Sequence, residues 1–172
     1  LGVDVNFAPV LDVVTTHNNA VIGTRSFGSV PSHVAQLGIA YMAGLMDAGI
    51  LPVIKHFPGH GDTIADSHHQ LPINHHTMRY LEQVPIAPFY SAIQHGAPAV
   101  MLAHIRYPSK DNKYPASLSK SWISYLKKDL GFTGLIITDD LSMKAISRYY
   151  SQKKAIELAL NAGVDYVIIT GG

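Results

Sequence analysis

From Lys55 to Pro72 the chain reads Lys-His-Phe-Pro-Gly-His-Gly-Asp-Thr-Ile-Ala-Asp-Ser-His-His-Gln-Leu-Pro, directly after the apolar run Ile50 to Ile54. So dense a set of His, Asp and Lys at the end of a strand-like run has the composition of a catalytic loop. Within it Asp66 and His68 stand two apart, so in an extended stretch their side chains share one side and can hydrogen-bond. A His paired with a carboxylate is oriented and made more basic, which suits a general acid/base working near neutral pH. The plainer alternative for such a pair is two solvated loop residues. Lys55 and His56 carry donors suited to the hydroxyls of a substrate, as does Arg25 in Ile22-Gly-Thr-Arg-Ser-Phe-Gly28. For Arg25 a surface charge or a structural bridge to Asp12 is an equal alternative. His104, just after Val100-Met-Leu-Ala103, reads like Lys55 and His56.

Asp139 and Asp140 follow Gly134-Leu-Ile-Ile-Thr138 without a break, which holds at least one carboxylate at the rim of an apolar core. Burial of a carboxylate with no role is costly. Asp is also a favoured N-cap, here for the segment starting at Leu141, and the pair can divide the two jobs. His60, His69, His75 and His76 suggest a metal site, but they lack the His-Glu-x-x-His spacing and have no thiolate company. No metal is expected.

These residues need elements to position them. Apolar, β-branched runs at Val3 to Ala8, Ile50 to Ile54, Ala99 to Ala103, Leu135 to Thr138 and Val164 to Ile169 have the length of buried strands. Their near-continuous hydrophobicity suits a parallel sheet covered on both faces. Between them the spacing predicts helices over Pro31 to Asp47, Met78 to Gln94, Ser119 to Leu130 and Gln152 to Asn161. Gly49, Gly96, Gly131 and Gly163 are placed to close them, and Ser119 or Ser121 to cap the third. The β(αβ)4 alternation fits either an open doubly wound sheet or a closed eight-stranded barrel. Asp12, Lys55-His56, His104 and Asp139 each fall at the C-terminal end of a different strand, where a barrel gathers its site, and no Gly-x-Gly-x-x-Gly turn follows any strand. This favours an α/β fold of the (β/α)8 TIM-barrel type. Five strands and four helices are only a portion of it, because a full barrel takes about 250 residues. The chain enters an apolar run at Leu1 and stops at Thr170-Gly-Gly, so residues 1–172 read as one domain truncated at both ends.

Composition narrows the partners. With 172 residues, 47% of them apolar, and a net charge of +1, the chain can bury a core and shows no block of Lys or Arg to track nucleic acid or grip a membrane surface. Its apolar runs fall short of the ~20 residues of a membrane span. A small or neutral molecule is the expected partner. The absence of Cys excludes disulfides and thiolate metal sites without separating one compartment from another.

Taken together, Asn6-Phe-Ala-Pro-Val-Leu-Asp12, Ile22-Gly-Thr-Arg-Ser-Phe-Gly28, Lys55-His-Phe-Pro-Gly-His-Gly-Asp-Thr63 with Asp66-Ser-His68, Pro115-Ala-Ser-Leu-Ser119 and Leu130-Gly-Phe-Thr-Gly-Leu-Ile-Ile-Thr-Asp-Asp-Leu-Ser-Met143 resemble the β-N-acetylglucosaminidase branch of the family 3 glycoside hydrolases. The motifs run in family order over nearly the whole chain. The resemblance implies a (β/α)8 barrel and retaining hydrolysis of terminal, non-reducing β-linked N-acetylglucosamine. It makes Asp139 the nucleophile and His68 the acid/base, with Asp66 orienting His68. It places Arg25, Lys55 and His56 on the sugar ring and Asp12 close to that pocket. It also implies no cofactor, a muropeptide-type substrate in cell-wall recycling, and a cytoplasmic setting. A sugar-binding Asp that the family brings from an early strand is not found, and its place is upstream of Leu1. Three rival readings follow from the residues: a metal-dependent barrel hydrolase using the His-rich loop, a truncated barrel that only binds sugar, and a β-glucosidase of the same family. The Asp-Ser-His loop, which belongs to the N-acetyl branch, disfavours the last.

Overall fold

The computed structural model describes residues 2–16, 19, 21–63 and 70–170. Five strands form one all-parallel sheet: β1 (Val5–Asn6), β2 (Leu51–Phe57), β3 (Ala99–Leu102), β4 (Leu135–Asp140) and β5 (Tyr166–Ile168). Their spatial order is their chain order, β1-β2-β3-β4-β5. A doubly wound sheet must reverse its order at a switch point, and this one never does. The sheet is therefore a partial (β/α) barrel, with helices in the crossovers.

Side chains alternate across the sheet. Ile54, Val100, Leu102 and Ile136 face the helices and join the main core with Val34, Met42, Phe89 and Leu126. Val53, Ala99, Met101 and Ile137 form a smaller cluster, flanked by Leu51, Leu135 and Ile168. At the centre of the helical side Trp122, fully buried, is ringed edge-on by Phe57, Tyr107 and Tyr125 at centroid distances of 5.9, 5.2 and 5.8 Å.

The first helix, α1, spans Pro31–Asp47, with Pro in its first turn, where a missing N–H is harmless. It stops before Gly49, whose φ of 73° an L side chain rarely adopts. The expected helix from Met78 to Gln94 is instead two, α2 (Met78–Gln83) and α3 (Ala87–Gln94). Pro85 is the cause: it has no N–H for the Leu81 carbonyl, so Ile86 N donates to Leu81 O at 2.8 Å, and the chain restarts with Pro88 in the next first turn. The third expected helix also divides. α4 (Lys120–Ser124) is capped by Ser119, whose hydroxyl accepts from Trp122 N at 3.2 Å, and it widens into a π-helical turn over Tyr125–Asp129. After β4 come the short α5 (Lys144–Ser147) and α6 (Gln152–Ala162).

Strand limits shift in ways that bear on function. β1 is shorter than the apolar run suggests, yet the chain stays beside β2: Val53 N donates to Ala8 O, Lys55 N to Pro9 O and Leu11 N to Lys55 O, at 3.1, 3.1 and 2.7 Å. That extension delivers Asp12 next to His56. β2 runs through Lys55 and His56 to Phe57, and β4 runs through both aspartates.

Candidate active site

Asp12 is fully buried and accepts three kinds of donor: the His56 ring Nδ1 at 2.7 Å, the His56 amide at 3.3 Å and the His60 amide at 2.6 Å. Burial alone would raise its pKa, but the charge and hydrogen bonds of His56 and His60 outweigh it, and the carboxyl sits below its ordinary value. An ionised carboxylate only accepts, so His56 Nδ1 carries the hydrogen and Nε2 takes no part in that bond. Asp12 thus holds His56 from a fully buried position. Arg25 makes no ion pair with it among the described residues. The exposed Arg25 side chain, in a 3-10 turn over Gly23–Arg25, donates from Nη2 to Val21 O at 2.6 Å.

Lys55, half-buried on β2, has its ammonium pKa pulled down by burial and by the charge of Arg25, against the pull of Asp139 and Asp12. Those couplings bring Arg25, Lys55, Asp12 and Asp139 into one electrostatic neighbourhood. At the end of β4 the two aspartates separate. Asp140 accepts from Ser142 N and Ser142 Oγ at 2.8 and 2.7 Å, from Thr170 N at 3.3 Å and from the Thr170 hydroxyl, so it ties the turn after the strand. Asp139 accepts only the Asp140 amide, at 2.8 Å, among the described residues. Burial raises its pKa, but His104, His56, the Asp140 N–H and Lys55 together hold it below the ordinary carboxylate range. Asp140 is thus committed to the turn, whereas Asp139 keeps a carboxylate oxygen outside the hydrogen bonds of the described residues.

His104 is not a sugar donor of the kind its position suggests: both ring nitrogens face protein, Nδ1 2.7 Å from Ser117 Oγ and Nε2 2.9 Å from the Asp140 carbonyl. Ser117 lies inside Pro115-Ala-Ser-Leu-Ser119, a stretch in which only Ser119 drew a structural reading; the motif itself was the signal. Asn19, which donates to His60 O at 2.9 Å and so braces the loop, had no sequence signal. Asp66, His68 and His69 lie outside the described residues. Of the remaining loop histidines, His60 is buried with Nδ1 2.7 Å from Thr63 Oγ1, while His75 and His76 are exposed and His76 stacks on Tyr80 at 4.0 Å. Among the described residues no three His, Asp or Glu side chains gather as a metal-binding group.

A sequence profile of the glycosyl hydrolase family 3 N terminal domain matches residues 1–171. The chain belongs to that family. A β-hexosaminidase of Hydrogenovibrio crunogenus is 41% identical over 170 residues, covering 98% of this chain and 47% of its own length. Among solved structures, a family 3 β-N-acetylglucosaminidase from Paenibacillus sp. str. FPU-7 aligns with a TM-score of 0.95 at 42% identity, over 96% of this chain and 32% of that one. NagZ from Neisseria gonorrhoeae, solved in complex with N-trifluoroacetyl-D-glucosamine, aligns with a TM-score of 0.88 at 40% identity, over 98% of this chain and 48% of that one. The chain spans about half the length of the curated relatives it matches. As a family 3 domain its (β/α) barrel order is accounted for, and the strand ends that carry Lys55, His56 and Asp139 are the ends at which barrels of this type build their sites.

Proposed function

We propose that this chain is the nucleophile-bearing portion of a retaining β-N-acetylglucosaminidase. The observation that carries the reading is Asp139: a half-buried carboxylate at the end of β4, its pKa held below the ordinary range, coupled to Lys55 and His56 on β2. A nucleophile must be ionised at working pH, and these neighbours keep it so. Similarity to β-hexosaminidases supports the substrate class.

In this reading Asp139 attacks the anomeric carbon of a terminal, non-reducing β-linked N-acetylglucosamine while His68, partnered by Asp66, protonates the departing oxygen. His68 then takes a proton from water, which displaces Asp139 and releases the sugar with its configuration retained. Arg25, Lys55 and His56 hold the ring, and Asp12 acts through His56. Muropeptides as substrates and the cytoplasm as the setting belong to the same proposal; assays on a disaccharide of N-acetylglucosamine and a muramic acid derivative, and cell fractionation, test them.

The decisive assay is release of nitrophenol from a nitrophenyl β-N-acetylglucosaminide by the full-length protein, in the presence of chelator, with Asp139→Asn alongside. Activity should survive the chelator and fall by about 10³-fold or more in the variant. Loss of wild-type activity in chelator would favour a metal-dependent hydrolase, and an active Asp139→Asn would remove Asp139 from the chemistry.

A further inference from the structure

The backbone ladder between β3 and β4 ends at the pairing of Leu102 with Thr138. Two residues further along each strand, a side chain takes over from the ladder: His104 Nε2 lies 2.9 Å from the Asp140 carbonyl oxygen. On the other side of the ring, Nδ1 lies 2.7 Å from the hydroxyl of Ser117, which is itself held by its amide donating to Ala103 O at 3.1 Å. His104 is 1% exposed and Ser117 0%. A carbonyl oxygen can only accept, so Nε2 carries the hydrogen, and in the neutral ring the Ser117 hydroxyl donates to the Nδ1 lone pair. Burial pushes the His104 pKa down against the opposing pull of Asp139 and Asp140, which keeps the ring in that neutral tautomer.

The residue so gripped is the one that touches Asp139. Asp140 is held at its carboxylate by Ser142 and Thr170 and at its carbonyl by His104, and its amide donates to Asp139 Oδ1 at 2.8 Å. The carbonyl and the amide lie in successive peptide planes joined at the Asp140 Cα, so holding the carbonyl and the side chain restricts the rotations open to that amide.

We infer that His104, clamped between the Ser117 hydroxyl and the Asp140 carbonyl, is a positioning residue for Asp139 that acts through the Asp140 peptide. The inference rests on the reading of Asp139 as nucleophile. Held at Oδ1, the carboxylate presents its other oxygen in one direction.

The test combines kinetics with ring ¹⁵N NMR on the full-length protein. In the wild type, His104 should show the neutral Nε2–H tautomer at about pH 7 and titrate below the ordinary value of about 6.5; a ring that titrates at or above that value overturns the clamp. His104→Leu should lower kcat on the nitrophenyl substrate by about 10- to 100-fold with KM held within about threefold, because misaimed reacting groups cost rate more than binding. His104→Gln, whose amide N–H can reach the Asp140 carbonyl, should recover most of that loss. An unchanged kcat in His104→Leu, or a loss confined to KM, overturns the inference. If His104→Leu does not fold, Ser117→Ala carries the comparison: a several-fold fall in kcat together with an altered ring ¹⁵N pattern is expected, and no change in either overturns it. A wild type that releases no nitrophenol refutes the glycosidase reading and the positioning role with it, whereas an active wild type with indifferent variants refutes the positioning role alone.

Discussion

His60 is 2% exposed in the loop that follows β2, its Nδ1 stands 2.7 Å from Thr63 Oγ1, and burial drops its pKa to about 4. The unfolded chain binds a proton at this ring near 6.5, while the folded chain stays neutral until about 4. Between those values the unfolded state holds the extra proton, so stability falls as pH falls, by about 3 kcal/mol across the window. Asp12 acts in a lower window: its depressed pKa contributes stability above its unfolded value, and that contribution is lost as pH drops through the folded one. The urea midpoint should therefore decline from pH 6.5 to 4, and His60→Gln should flatten that decline; equal slopes in the two proteins would assign it to another group. At this scale the sequence carried the residue types and the expectation that the two aspartates divide two jobs, but not the hydrogen bonds that distinguish them. Asp139 and Asp140 are adjacent and identical in chemistry, and it is the donors from Ser142 and Thr170 around Asp140 that set the two apart.

The loop that carries the histidines packs against the segment after β1 through a glycine. A Cβ on Gly61 would stand 1.9 Å from the carbonyl oxygen of Val13 and 2.4 Å from its carbon, both backbone atoms that no rotamer change can move. Gly61→Ala should cost about 1–3 kcal/mol, as overpacking does, and should displace the loop enough to reduce activity. Gly44 in α1, whose Cβ would meet nothing within 4 Å, is the control: Gly44→Ala should be neutral or stabilising by up to about 1 kcal/mol. Thermal unfolding of the two variants separates local crowding from a general intolerance of substitution. Helix and strand identities were readable because short continuous β-branched runs differ from longer stretches with apolar residues at helical spacing. α1 spans the expected Pro31–Asp47, but Pro85 divided what the apolar period alone joined. The extension of β2 through Lys55 and His56 was hidden for the opposite reason: polar residues at a strand end look like a loop until a neighbouring chain supplies the pairing, here through Pro9 and Leu11.

Across the whole molecule the chain-order sheet has one face under helices and another on which Val5, Phe7 and Tyr166 are 45, 43 and 58% exposed. The barrel class was legible because four strands each end in a polar residue, a pattern that does not depend on the number of strands present; the depth at which each polar residue lies was not. Asp12 and Asp139 both follow apolar runs, yet Asp12 is fully buried and Asp139 only half-buried. The placement of Asp12 has a consequence for how the molecule comes apart. A fully buried carboxylate takes the amide hydrogens of His56 and His60, so these N–H groups can reach water only when the segment after β1 separates from β2. Their hydrogen exchange should be as slow as that of the β3 amides and far slower than that of exposed Gln70 in the same loop. Were His60 to exchange at the rate of Gln70, the loop would open from Asp12 on its own. Slow exchange would mean that the Asp12 bridge belongs to the last unit to open, and that the arrangement of His56 and His60 is lost only when the barrel core is.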